Sequence, residues 1–562
     1  MSRLQASLDR LGRLPVAIIG GGVSGLYAGW RLRQAHPYQS VAIFEESGRT
    51  GGRLLTWLPY GKQGGLRAEL GGMRFFPQQE LVWNLVKHLK LPLIDFPVDG
   101  PNLLWYLRGL RMSAGNAEAA GLRYALNQDE RGKLPYDLLR LAIDLVLNTP
   151  ENRAVLQQQL GKAQPETRAE WDAVKPALTY QGTPLWYRGF WNILTDVFSF
   201  EGYHYTTDTF GYYSLTSNWN AAEALQAISL DFTQKPAYKT LVEGYEQLPT
   251  TLRQRFEALG GHLFENCSFL RFERRQDGSF VLAFQDESGE EAFLIADRII
   301  LALPRRALEL IEPTNTFNAQ SLALKPLIDA VQSYPAFKLF LLYSHRWWES
   351  ARGIIQGRSV SDLPIRQTYY FRPDQSAQQN STDPAYGLLM ASYDDVWAVD
   401  YWRGMGVPVA ELAKTSQEFR RMLEKIPIED ARGGVATTLP PVTLLQQANS
   451  AMLARAKEQL ALLHGLNPSD IPDPIVGAYT DWTHDPYGGG WSFWQPQVNV
   501  KEIMPKVRQP LGENLPVYII GDTYSGLQGW VEGALSSAEI VLQQGFWLDR
   551  PEWLPVDYYL GW

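Results

Sequence analysis

PVAIIGGGVSGLYAGWRLRQA, residues 15–35, is the stretch that decides the fold. PVAIIG reads as a short buried strand, the glycines Gly20, Gly22 and Gly25 follow in the spacing GxGxxG, and LYAGWRLRQA has a helical pattern. A second apolar run, Val41 to Phe44, ends at Glu45, 20 positions beyond Gly25. Strand, glycine turn, helix, strand and terminal acid together predict a βαβ unit that holds a dinucleotide. Gly20 then makes the tight turn, Gly22 admits the pyrophosphate, and Gly25 lets helix and strand pack closely. Glu45 would take the ribose hydroxyls, and the helix N-terminus around Ser24 supplies free N–H groups for the phosphates.

Other pieces of the same unit lie far along the chain. FLRFERRQDGSFVLAF (269–284) alternates around Asp277-Gly278, a hairpin signal, and RIILALP (298–304) is a continuous apolar run suited to a strand covered on both faces. VYIIGD (517–522) is one more such strand, followed by the helix-like WVEGALSSAEIVLQQ. Between them, residues 101–230 look helical: Leu138, Leu141, Ala142 and Leu145 recur at the spacing of one helix face. The aromatic end of that region, FSFEGYHYTTDTFGYYSLTSNWN, either packs between helices or faces a pocket. Residues 333–500 mix strand-like runs with polar loops and a helix near 451–464.

The 562 residues carry a formal net charge of −8 with no basic block, which argues against nucleic acid and against an anionic membrane surface. No apolar run reaches about 18 residues, so no membrane span is expected. The N-terminus shows no uninterrupted apolar stretch of signal-peptide length, and a cytoplasmic protein is expected. Cys267 is the sole cysteine, so no internal disulfide can form; with seven scattered His and no HExxH, no metal site is expected. Aromatic residues make up 12% of the chain, enough to line a pocket as well as a core.

EESGRTGGR (45–53) separates the dinucleotide candidates. A second glycine pair and Arg53 just after the ribose acid resemble the signature of the flavin amine oxidase family, which includes monoamine oxidases and L-amino-acid oxidases. YIIGDTYSGLQGWVEGALSSAE (518–539) is similar to that family's closing FAD motif. The resemblance implies an α/β fold: a Rossmann-type FAD-binding domain (1–58, 235–332 and 505–548), a mixed β-sheet substrate domain (59–110 and 333–504) and a helical domain (111–234). It implies FAD, held non-covalently because no cysteine lies near the closing motif. Arg49 and Arg53 would hold phosphate oxygens, and Asp522 the ribityl chain. Glu46, Gly71, Gly72, Met73, Phe269, Val531 and Ala534 would border the cofactor.

LRAELGGMRFFP (66–77) places Arg74, which cannot lose its proton, among apolar neighbours. In the L-amino-acid oxidase branch the matching arginine clamps the substrate carboxylate. The resemblance also assigns Tyr370 in SDLPIRQTYYF to the carboxylate, Gly529 and Trp530 to the amine side, and Trp491 in YGGGWSFW to the pocket wall. Lys338 in FKLFLL matches a lysine linked by water to flavin N5, and would assist catalysis. Arg74, Gly529 and Trp530 would touch both substrate and cofactor. The implied reaction takes an L-amino acid and oxygen to a 2-oxo acid, ammonia and hydrogen peroxide. Large or basic side chains, such as that of L-arginine, would suit the aromatic residues and Asp481, Asp485 and Glu532. Amide-forming L-amino-acid 2-monooxygenase, amine or polyamine oxidase, and a non-catalytic binding protein like the GDP-dissociation inhibitors are the alternatives. A homo-oligomer, dimer or higher, is expected, and the aromatic C-terminus WLDRPEWLPVDYYLGW reads either as a subunit contact or as a strap on its own chain.

Overall fold

The computed structural model describes residues 3–59, 65–232, 237–371, 386–406 and 444–562. Its first layer is a seven-stranded sheet. His262–Phe264, Val41–Phe44, Arg13–Ile19 and Glu291–Leu301 run parallel in that order, with Ile18 opposite both Ile43 and Ile300. On its other edge Glu291–Leu301 is long enough to serve two further neighbours. Its C-terminal end pairs in parallel with Val517–Ile519, while its N-terminal half pairs with the hairpin Ser268–Arg274 and Phe280–Gln285. Thus residues from the beginning, middle and end of the chain make one dinucleotide sheet.

The helix Val23–Ala35 is buried along nearly its whole length, packed between this sheet and the helices Gln247–Ala258 and Val531–Gly545. Its Arg31 pairs with Glu539 of the last helix at 3.1 Å, and Tyr27 donates to the same carboxylate at 2.6 Å. Both sides of that ion pair are buried, so removing one would leave the other charge uncompensated. The opening and closing motifs are therefore clamped together some 508 residues apart in sequence.

The second layer is an eight-stranded mixed sheet that contains Ala336–Tyr343, Gly387–Asp395, Gln367–Phe371 and Gly357–Ser361. The helical region follows Ala117. In Pro135–Leu147 the buried stripe is Leu138, Leu139, Ala142, Ile143 and Val146. Leu145, expected on that face, is about half exposed, because the apolar stripe is shifted by a residue around the helix from the spacing 138/141/142/145. Asp277-Gly278 turns the hairpin, and the helix near 451–464 spans Ser450–His464. The domain boundary expected at 234–235 lies outside the described residues.

The C-terminal strap packs on its own chain. Trp553 meets Tyr27 and His88, Tyr558 donates to Glu532 at 2.6 Å, and the Trp562 ring lies 4.5 Å from the Lys175 ammonium.

Candidate active site

Two cavities meet where the layers join. The larger, about 450 Å³, runs along the ends of the parallel strands from Glu45 to Gly529. Gly20 makes the first turn with φ +103°, a conformation that favours glycine, and its N–H donates to Phe44 O at 2.8 Å. A Cβ on Gly25 would fall 2.1 Å from Gly20 O, so this position exists for helix–strand packing and does not border the cavity. Gly22 differs: a Cβ there would find only Gly52 Cα, at 4.0 Å. The two glycine turns face one another across the start of the helix Val23–Ala35, which leaves backbone N–H groups open to an anion. Ser24, Glu46, Phe269, Val531 and Ala534 also border this space.

The acids and arginines sort differently from their sequence spacing. The Glu45 carboxylate borders the cavity and accepts from the N–H groups of Gly21 (2.8 Å) and Ser47 (3.0 Å). Arg53 pairs with Asp522 and donates to Gly490 O at 2.9 Å, both partners standing at the cavity edge. Arg49, expected on phosphate, instead points away: it donates to Gly52 O and Leu54 O and pairs with Glu246 at 3.0 Å. It holds the second glycine turn closed. Cys267 sits near the Glu45 end, its thiol pushed up to about 12 by burial, far in sequence and place from the Gly529–Trp530 end. The open glycine turns, the carboxylates and the length of the cavity fit FAD held without a covalent bond.

The second cavity, about 150 Å³, shares Gly72, Gly529, Trp530 and Val531 with the first. Gly71, Met73 and Arg74 border this one and not the dinucleotide space. The glycine pair 71–72 lies against the other motif's backbone. Gly72 N donates to Arg53 O at 2.9 Å, and a Cβ on Gly71 would come within 1.9 Å of that oxygen. So the two motifs recognised in sequence are braced directly against each other. Lys338 completes the brace. Its Nζ donates to Glu69 O (2.9 Å) and Gly71 O (2.6 Å), and burial brings its amine down to about 7. Lys338 borders neither cavity; it stands behind the Gly71 wall.

Arg74 is 9% exposed, and no carboxylate among the described residues lies within ion-pair reach of it. Its guanidinium lies 4.2 Å over the Tyr238 ring and donates to Tyr369 Oη at 3.1 Å. Burial pushes the Tyr369 hydroxyl up, but the guanidiniums of Arg74 and Arg358 outweigh it and leave it below its usual value. Tyr238 stacks on Trp530, and Trp491 packs against Gly529 while its indole N–H donates to Ser214 at 3.2 Å. From the helical region Tyr212, Leu215 and Trp219 reach the cavity, while Tyr205 and Phe210 stay in the helical core.

Four expected positions are corrected by this geometry. Tyr370 does not meet Arg74. It lies on the opposite face of its strand, hydrogen-bonded to His464 Nε2 (2.8 Å) and Ser359 (3.1 Å); the hydroxyl on Arg74 is that of Tyr369. Adjacent strand residues point to opposite faces, so a shift of one changes the side. Asp481, Asp485 and Glu532 are not free for a substrate cation. Asp481 lies 3.3 Å from Arg403, and Asp485 pairs with Arg306. Glu532 accepts from the N–H groups of Leu81 and Val82 and from Tyr558. Two acids do border the pocket, Glu223 and Asp231; Glu223 is paired with Lys175, and Asp231 carries no local motif in ISLDF to announce it. Tyr369→Phe should raise the KM for a carboxylate substrate by about tenfold or more, since a hydrogen bond to a charged group contributes about 1.5–3 kcal/mol. Tyr370→Phe should lower the melting temperature and leave that KM in place. The reverse pattern, read by steady-state kinetics and thermal melts, would return Tyr370 to the site.

A Rossmann cavity that opens onto an aromatic pocket with a buried cation defines a dinucleotide-dependent oxidoreductase for a small substrate. The chain belongs to the flavin-containing amine oxidoreductases: the sequence model of that family matches residues 23–438 and 442–541. It is a flavoprotein enzyme, with FAD as its non-covalent cofactor. The L-amino-acid oxidase of Mus musculus is 26% identical over 538 residues, covering 93% of this chain and 69% of the mouse protein. Aplysianin-A of Aplysia kurodai is 25% identical over 562 residues, covering 95% of this chain and 90% of its own. Among solved structures, a double mutant of putrescine oxidase superposes with a TM-score of 0.63 at 15% identity, over 96% of this chain and all of that one. That last likeness concerns the fold, the amine oxidase fold. No helix among the described residues is long and apolar enough to cross a membrane, and no group of metal-ligating side chains occurs among them.

Proposed function

We propose that this enzyme oxidises L-α-amino acids to 2-oxo acids and ammonia, with oxygen reduced to hydrogen peroxide. The observation that carries the reading is Arg74: a buried guanidinium without a carboxylate partner among the described residues, in the wall of the pocket that meets the dinucleotide cavity. An unpaired buried charge is costly unless a ligand compensates it. A substrate carboxylate provides that compensation, whereas a simple amine would not. The likeness to L-amino-acid oxidases of Mus musculus and Pseudechis australis supports the same class.

Arg74 and Tyr369 hold the carboxylate. The Gly529 carbonyl accepts from the amino group, and Trp530 with Trp491 walls the opposite side. This pins two substituents of the α-carbon and so turns its hydrogen toward the shared edge of the cavities, an orientation effect that can supply several kcal/mol, on the order of 7–11 at most. Bound FAD supplies the redox chemistry, taking two electrons from the substrate and passing them to oxygen. The imino acid that leaves is hydrolysed by water. Lys338 keeps the Gly71 wall in place and sets an amine that titrates near 7 behind it. A cytoplasmic homo-oligomer completes this reading.

An oxygen-free titration of the yellow holoenzyme tests it. L-amino acids should bleach the flavin, while D-isomers and putrescine should not. On readmitting air, 2-oxo acid and peroxide should form in equal amounts. An amide product would make the enzyme a monooxygenase, and bleaching by amines alone would remove the carboxylate clamp.

A further inference from the structure

We infer that Asp231 selects amino acids whose side chain ends in a cation, by receiving that charge at the wall of the pocket that Arg74 also borders. This specificity rests on the amino-acid oxidase reading above and refines it. Asp231 sits in a π-helical turn, Ile228–Phe232, that continues the helix Ala221–Ala227. Such turns are frequent at functional sites. Asp231 is 7% exposed and borders the same cavity as Arg74, yet among the described residues its carboxylate accepts no hydrogen bond and makes no ion pair.

The surrounding charges leave it unmatched. Glu223, also on the pocket wall, is answered by Lys175 at 2.8 Å, and the same ammonium holds Asp172 at 2.7 Å. Arg168 acts on Asp231 through space but forms no ion pair with it, and its own Nε and Nη1 are buried without partners. Glu532 adds a further negative charge nearby. Four carboxylates thus share two cations, and of the two that border the cavity, Glu223 and Asp231, only Asp231 is without a contact. Burial brings its carboxyl up to about 7, so a cation arriving beside it would take the proton's place.

The Arg74 guanidinium lies 4.2 Å over the Tyr238 ring, and both charges reach that ring's hydroxyl: burial pushes it up to about 12, Arg74 draws it down and Asp231 pushes it up. The pocket wall therefore carries a fixed cation, an unpaired acid and aromatic residues such as Tyr212, Trp219 and Trp491. A free L-amino acid with an aliphatic stem and a terminal ammonium or guanidinium has that pattern: lysine, ornithine or arginine. A side chain of the same shape without charge would leave Asp231 buried and unpaired, the situation that rejects analogues most strongly.

Matched substrate pairs test this in the holoenzyme. With the wild type, kcat/KM should favour L-arginine over its neutral analogue L-citrulline, and L-lysine over L-norleucine, by about a hundredfold. In Asp231→Asn, with the visible flavin spectrum confirming a folded and loaded protein, both ratios should fall to within about tenfold. Equal use of L-arginine and L-citrulline by the wild type would overturn the assignment without any variant, as would ratios preserved in Asp231→Asn. If neutral L-amino acids bleach the flavin and cationic ones hold no advantage, Asp231 alone loses its role. If no L-amino acid bleaches it, the oxidase reading falls as well.

Discussion

Arg74→Ala should lower kcat/KM for L-amino acids by about thirtyfold or more, the cost of about 2–5 kcal/mol that follows truncation of one partner of a buried charge pair. The flavin spectrum should be unchanged, because Arg74 borders the substrate pocket and not the dinucleotide cavity. Stability gives a second readout. In the substrate-free protein this guanidinium rests on the Tyr238 face and the Tyr369 hydroxyl and meets no carboxylate among the described residues. Removing a buried cation in that state should leave the melting temperature equal or higher. A structural arginine would behave in the opposite way, with stability lost and kinetics little altered. Arg74→Lys should recover only part of the activity, since a compact ammonium cannot grip a carboxylate through a planar two-donor fork. Unchanged kinetics in Arg74→Ala would remove the basis for an amino-acid substrate.

What the sequence makes legible is short-range. Gly25 must lack a side chain because Gly20 O, five residues back, occupies its place. That constraint is written in the local spacing and needs no knowledge of the rest of the fold. The strands Arg13–Ile19 and Val517–Ile519 are legible because a parallel strand covered on both faces is a plain apolar run. The same double coverage hides the pocket tyrosine. Gln367–Phe371 is buried on both sides, so alternation offers no contrast between Tyr369 and Tyr370. Only tertiary packing, Arg74 on one face and His464 on the other, tells them apart.

Arg49 and Arg53 look equivalent beside one glycine pair, yet the turn sends the first toward Glu246 and the second toward Asp522. A residue's role there depends on backbone direction, which composition does not encode. Asp231 is the extreme case. In sequence it is an acid after a short apolar stretch, indistinguishable from one on a solvated face. It becomes a candidate for binding only because the helical region folds against the Arg74 segment, more than 150 residues earlier, and closes the cavity between them.

Gly22→Val should give a folded but colourless protein. The backbone there, φ −70° and ψ 178°, is extended and suits valine, and an added Cβ would approach nothing nearer than Gly52 Cα at 4.0 Å. The cofactor-free fold therefore has room for the change. The space that the two methyl groups would fill is on the cavity side, where the helix Val23–Ala35 begins and its N–H groups await an anion. If the pyrophosphate of FAD takes that space, bound flavin should fall to about a tenth of the wild-type content or less, as expected of a glycine whose role is close backbone approach. Circular dichroism should match that of the flavin-stripped wild type. Gly25→Val cannot serve this purpose, because its side chain would strike Gly20 O whether or not FAD is present. Full flavin occupancy in folded Gly22→Val would take the phosphates out of this turn. The shared edge at Gly529 and Trp530 would then no longer bring flavin and substrate together.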